Sequence, residues 1–165
     1  WSFRTEGPLL QDTFASTTLD PAKWPVVQGA TVDAEGLNEP SAPFSLRLNA
    51  SAAGGDSVET GVIDLSGYTK VTLSYCYQQG GGGDAPEEGD DLIVEWHRAS
   101  RWREVKRHLG KDPQMDSFPC VTLELPAAAL TSEFKLRFRV KATSSSAASL
   151  PEDDWFIDDI LLSAQ

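Results

Sequence analysis

The closing segment DDWFIDDILL, Asp153 to Leu162, sets four aspartates around an apolar run. An ionised carboxylate is costly to bury unless it is paired or binds a metal. If the run is a strand with Ile157 facing the core, Asp158 points away, and Asp159 points inward unless a bulge intervenes. One of the two carboxylates then risks burial at the sandwich edge. A hard cation with oxygen ligands offsets that cost, and calcium accepts carboxylates and carbonyls in irregular geometry. The alternative is that both aspartates are solvated, or capped by backbone N–H groups and nearby arginines.

Catalytic constellations are weaker. GDS at Gly55 to Ser57 matches part of a serine hydrolase signature, but it lies mid-chain and neither histidine is near the C-terminus. A turn before the strand SVETGVIDL explains it better. His97 and His108 have the chemistry of general bases or metal ligands, yet no H-x-x-x-H or H-E-x-x-H spacing exists. A cysteine–histidine pair stays open, because spatial neighbours do not show in sequence. With 25 acidic residues in the chain, glycosidase-like carboxylate pairs arise by chance. GGGGD, Gly80 to Asp84, lacks the Lys-Ser/Thr of a phosphate loop and reads as a flexible turn. The acidic loop from Asp84 to Asp91 lacks EF-hand spacing and reads as a solvated hairpin loop. No enzymatic activity is expected.

WHRASRWREVKRH is locally basic within an acidic chain. Arg98, Arg101, Arg103, Lys106, Arg107 and Lys111 fall in or near one hairpin, with Trp102 close to its tip. An exposed tryptophan stacks on a sugar ring, and nearby arginines hold a carboxylate or sulfate. Trp102, Arg101 and Arg103 are therefore candidate ligand-binding residues. The alternative is a polar hairpin whose Trp102 packs back onto the sandwich. Lys135, Arg137, Arg139 and Lys141 pose the same choice, between a binding stripe and cross-strand pairs with Glu95 and Glu124.

The elements that must carry these residues have a period of two. FSLRLN, VTLSYCYQ, DLIVEWH and FKLRFRVK alternate apolar and polar positions. In the last, Phe134, Leu136, Phe138 and Val140 face in. Trp96 shares parity with Leu92 and Val94. Shorter candidate strands are PVVQG, ATVDA, SVETGVIDL, REVKR, CVTLEL and WFIDDILL, separated by Gly, Pro, Asn and Ser clusters. Only PAAALTSE suits a helical turn, with Pro126 at its start. Many short strands divided by turns predict an antiparallel, all-β sandwich. GGGGDAPEEGDD and SSSAASLPEDD read as biased loops, since strands continue on both sides of each.

The 165 residues suit a single domain, residues 1–165, with 1–11 as an N-terminal extension. A net charge of −11 repels phosphate backbones and argues against nucleic acid as a partner. No apolar run reaches membrane-spanning length. The chain starts at Trp1 and its only methionine is Met115, so an excised domain or processed product is expected. Cys76 and Cys120 are either one bridge, in an oxidising compartment, or two unrelated buried thiols. Both lie in or beside predicted strands, and we expect a disulfide.

The order of segments resembles a known group. DTFAS and DPAKW come first, then PFSLRL, IDLSGYTKVTLSYCY, GDDLIVEW, TLELPAAALTSEFKLRFRV and WFIDDILL. From about Asp12 to Leu162 this resembles the jelly-roll β-sandwich modules of secreted proteins: MAM domains, reelin-type repeats and related bacterial accessory domains. The full cysteine pattern of MAM domains is missing, which favours the bacterial type. The resemblance implies a non-catalytic module of a larger secreted or cell-surface protein that recognises a glycan or an extracellular protein. It also implies a structural Ca2+ ion where the first and last strands meet. Asp12 opens DTFAS beside the IDDI segment, so the implied ligands are Asp158 or Asp159, Asp12 and carbonyls from Thr31 to Ser41. Asp33 and Glu35 are possible additions from the same loop. Trp24 and Trp155 are expected to pack near the joined termini.

Overall fold

A computed structural model describes residues 7–50, 55–111, 113–141 and 153–165. Most of SSSAASLPEDD and the first six residues lie outside the described residues. Two antiparallel sheets pack face to face. The six-stranded sheet runs β3 (Thr31–Asp33), β4 (Ser45–Leu48), β11 (Trp155–Ala164), β6 (Val71–Gln79) and β9 (Cys120–Glu124), and β1 (Leu10–Asp12) also pairs with β11. The five-stranded sheet runs β2 (Val26–Gln28), β5 (Ser57–Glu59), β10 (Leu136–Val140), β7 (Leu92–Arg98) and β8 (Arg101–His108). A 3-10 turn, Ala127–Ala129, follows Pro126.

The two-residue period accounts for the layers. Leu46, Leu48, Leu73, Tyr75, Leu92, Val94, Leu136, Phe138, Ile157 and Leu162 all face the space between the sheets and are buried. Trp96 joins them. Trp24 also lies in this core, edge-on to Phe138 at 6.4 Å, and Trp155 donates its indole N–H to the Asp90 carbonyl at 2.8 Å. Burial of this apolar area is the main source of stability.

First and last strands meet as the fold requires. Leu10 pairs with Leu162 and Asp12 with Ile160. Leu10 and Gln11 thus belong to the sheet, although the sequence suggests an extension through residue 11. β4 pairs with the earlier half of β11, Trp155 to Ile157. The partner along that edge of β11 therefore changes from β4 to β1 at Asp158 and Asp159.

Three local expectations differ from the structure. SVETGVIDL forms only the three-residue β5, because the Thr60 hydroxyl takes the Leu136 N–H at 2.9 Å and the pairing turns irregular, with Ile63 bridging Phe134 further on. The glycine run is a closely packed corner: Gly80 and Gly81 have φ of 79° and 52°, and a Cβ on Gly82 would lie 2.6 Å from the Glu35 carbonyl. The acidic loop is not simply solvated, since Asp90 and Asp91 are buried and Asp91 Oδ1 accepts the Gly110 N–H at 2.9 Å.

Candidate functional site

A β-bulge resolves the parity of the paired aspartates. Asp158 stands opposite Cys76 and Leu161 opposite Ser74, which leaves Asp159 and Ile160 facing one residue of β6. Asp159 takes φ of 50°, a left-handed conformation that aspartate tolerates better than most residues. Ile157 and Ile160 both stay in the core, and Asp158 points to the outer face of the six-stranded sheet with Cys76.

Asp158 is nevertheless fully buried, at 0 % exposure. Its Oδ2 accepts the Ser41 N–H at 2.8 Å and its Oδ1 the Asp159 N–H at 2.7 Å. The Ser41 hydroxyl bonds Asp159 Oδ1. Burial pushes the Asp158 carboxyl up to about 6; the two N–H bonds oppose the rise, and the carboxylates of Asp159 and Glu39 add to it. Backbone capping, one of the two readings of the sequence, thus operates here, but through Ser41 and Asp159 and without an arginine. Glu39 Oε1 and Ser45 Oγ are buried without hydrogen-bond partners.

Asp12 is not brought to this place. It shares the inner face with its partner Ile160, accepts the Trp24 indole N–H at 2.8 Å and the Phe14 N–H at 3.1 Å, and meets Lys23 Nζ at 3.5 Å. Asp33 and Glu35 are turned to Arg47, whose Nη1 lies 3.5 Å and 2.9 Å from their carboxylates. Arg47 Nε meets Asp154 Oδ1 at 2.6 Å. Burial works against the Arg47 charge, yet Asp154, Glu35 and Asp33 together hold it more firmly protonated. Sequence alone does not expose this hub, because Asp154 is 107 residues from Arg47.

A second acidic group lies at the β6–β7 connection. Ligand oxygens of Asp84, Glu87 and Asp153 fall within 4.8 Å of one another. Burial, then Glu87 and Asp90, raise the Asp153 carboxyl to about 7.

In the five-stranded sheet, Trp102 pairs with His97 and Arg103 with the core residue Trp96. Paired residues share a face, so Trp102 points out while Arg103, and with it Arg101, points to the opposite side. The three candidate ligand residues are therefore split between two faces. What accompanies Trp102 is Arg137, whose guanidinium lies 4.1 Å from the indole centroid, and His97, edge-on at 5.2 Å. Arg137 is anchored by Glu95 at 2.6 Å and Glu59 at 3.5 Å, and Arg139 by Glu95 at 2.8 Å. Glu95 is thus one of the two acidic neighbours expected for this ladder. Glu124 instead meets Lys70, at 3.6 Å.

His108 is held in an aromatic cluster of the core. His108 Nε2 is bonded to the Tyr75 hydroxyl at 2.7 Å, and its ring stacks on Tyr77 at 3.7 Å. Burial, then the Lys106 charge, lower it to about 4. Cys76 and Cys120 are cross-strand partners joined as a disulfide, so neither offers a thiolate to a histidine. The disulfide, Gln11, Ser74, Thr122 and Asp159 line a groove of about 350 Å³ on the outer face of the six-stranded sheet.

No known protein family and no curated protein matches the chain. Solved structures do. The K1 cleaved adhesin domain of Lys-gingipain from Porphyromonas gingivalis W83 is 15% identical, with a TM-score of 0.61, over 94% of this chain and 98% of that one. The CBM22-1 xylan-binding domain of Xyn10C from Paenibacillus barcinonensis is 14% identical, with a TM-score of 0.57, over 96% and 94%. The C-terminal family 22 carbohydrate-binding module of Clostridium thermocellum Xyn10B is 12% identical, with a TM-score of 0.57, over 97% and 96%. At these identities the likeness establishes the fold, a jelly-roll β-sandwich. It lends nothing to the MAM and reelin kinship in particular. Among the described residues, no helix is long and apolar enough to cross a membrane.

Proposed function

We propose that the chain is a non-catalytic carbohydrate-binding module of a larger secreted or cell-surface protein, and that it holds a glycan on the outer face of its five-stranded sheet. The observation that carries this reading is the mounting of Trp102. It is half-buried, seated on Arg137 and braced by His97, on a β-strand rather than a mobile loop. A rigid indole offers a sugar ring a stacking surface, and the partly exposed guanidiniums of Arg137 and Arg139 beside it offer donors to ring hydroxyls. The groove on the other sheet lacks such a platform, because Tyr75 in its lining is fully buried. Xylan binding by the Paenibacillus barcinonensis domain of this fold is in keeping with the reading. The test is a panel of immobilised neutral and acidic polysaccharides: retention of the wild type and its loss in Trp102→Ala supports the reading, and no retention on any of them contradicts it.

A structural calcium ion at Asp158 and Asp159 is part of the same proposal. The site has the hard oxygen donors calcium prefers. Ser45, which the register of β4 on β11 sets beside Asp158, keeps a buried hydroxyl without a partner. Asp12, Asp33 and Glu35 do not fit as ligands, because their carboxylates are engaged elsewhere. The ion would join β11 to the loop before β4, at the point where β11 changes partners.

Protein adhesion by the same fold is the second reading. Val26 and Val27, 47% and 44% exposed on the edge strand β2, favour it, since an exposed apolar edge can pair with another chain.

A further inference from the structure

We infer that β8 is a docking edge for an acidic protein segment. An extended chain with carboxylates at alternate positions adds as a further strand beside β8, and its acids meet Arg98, Arg101, Arg103 and Lys106.

Register gathers these four cations. Ala99 and Ser100 form a two-residue turn with φ of 49° and 62°, which sets Arg98 directly opposite Arg101. Arg103 pairs with Trp96 and shares their face of the hairpin, the one opposite Trp102. Simple alternation would send Lys106 to the Trp102 side. The register shift between Val94 and Glu95 leaves Val105 without a partner and brings Lys106 opposite Val94, back onto the Arg103 side. Arg98, Arg101 and Arg103 are exposed, and Lys106 is half-buried. Among the described residues, none of the four has an ion pair, whereas Arg107, on the other face, takes both Asp91 and Glu104. Like charges set opposite each other on neighbouring strands destabilise a sheet. A chain with 25 acidic residues and a net charge of −11 has acids to spare, yet it leaves this stripe uncompensated.

β8 is also the outermost strand of its sheet and is eight residues long. Among the described residues, no strand pairs with its far side, so the N–H and C=O groups there can bond an added strand. The cations repel a second β8, so the edge excludes a copy of itself and admits a strand of opposite charge. Side chains two apart on an extended chain stand about 7 Å apart on one face, so carboxylates at alternate positions match Arg101 and Arg103. A glycan has no use for a free strand edge; the edge and the stripe together favour a peptide. The opposite edge strand, β2, exposes two valines and has no cation among its three residues.

The test is fluorescence anisotropy of a labelled peptide of alternating glutamate and threonine, titrated with the full chain. Binding should weaken as salt rises, and a peptide of alternating lysine and threonine should not bind. Arg103→Glu should weaken the acidic peptide at least about tenfold, and Lys141→Glu, the same change of charge, by less than about twofold. Arg103 lines up with Leu136 through Trp96, so Lys141 lies about 17 Å further along the sheet, beyond the screening length of about 8 Å. Methylating the peptide's backbone nitrogens removes its N–H donors, keeps every carboxylate and should abolish binding. No binding of the acidic peptide, equal losses in Arg103→Glu and Lys141→Glu, or undiminished binding of the methylated peptide overturns the inference. Heparin or polygalacturonate that binds the wild type but not Arg103→Glu, with no binding of the peptide, makes the stripe a glycan site and overturns it as well.

Discussion

The guanidinium of Arg137 lies 4.1 Å from the indole centroid of Trp102, and the two side chains come from strands on either side of β7. The stack joins the candidate sugar platform to an ion ladder that is itself largely buried. Glu95, the centre of that ladder, serves two guanidiniums with a side chain only 8% exposed.

Glu95→Ala should therefore destabilise the fold by about 3 kcal/mol, because it strands two partly buried guanidiniums. Lys70→Ala, which breaks the exposed pair with Glu124, should cost less than about 1 kcal/mol. Urea unfolding of the two variants compares them directly. Equal losses would mean that the ladder is no more than a solvated face.

Trp96→Ala should cost about 3–5 kcal/mol by opening a cavity between the sheets. A melting temperature unchanged by the substitution would contradict its place in the core.

How much of this was legible beforehand follows from the range of the interactions. Alternation in FKLRFRVK placed Phe134, Leu136, Phe138 and Val140 in the core, and all four are buried. Alternation itself sets Trp102 and Arg103 on opposite faces of their strand; what it could not show is which of them faces out, since pairing with His97 and Trp96 decides that. The bulge at Asp159 had a local cue in two adjacent aspartates. The capping of Asp158 by the Ser41 N–H had none: a loop serine gains meaning only when the chain brings it to a strand 117 residues further on.

The Cys76–Cys120 disulfide joins β6 to the edge strand β9 across 44 residues of sequence. It should stabilise the native state by about 2–4 kcal/mol, mainly by restricting the unfolded chain. Alkylation of unfolded, unreduced protein followed by intact-mass measurement should add no alkyl group. Two added groups would rule the bridge out, and unfolding with and without reductant gives its size.

His108 predicts a pH dependence. Its folded pKa of about 4 lies below the ordinary 6.5, through burial and the Lys106 charge, with Tyr75 and Tyr77 facing the ring. The unfolded chain protonates first, so this contribution is complete above about pH 6.5 and is lost as pH falls toward 4, on the order of 2 kcal/mol. Asp153, raised to about 7, acts in the opposite direction across that window, and Asp158, raised to about 6, across most of it, so the comparison must be with a variant. The stability of wild type relative to His108→Phe should decline across this window. A difference independent of pH would show that His108 is not held neutral.

The most direct test of the central claim is affinity electrophoresis of wild type and Trp102→Ala in gels containing soluble xylan or an acidic polysaccharide. The account predicts that at least one polysaccharide retards the wild type, that Trp102→Ala migrates as in the empty gel while staying folded, and that no reducing sugar is released. Wild-type migration unaffected by every polysaccharide, or retardation undiminished in Trp102→Ala, would contradict it.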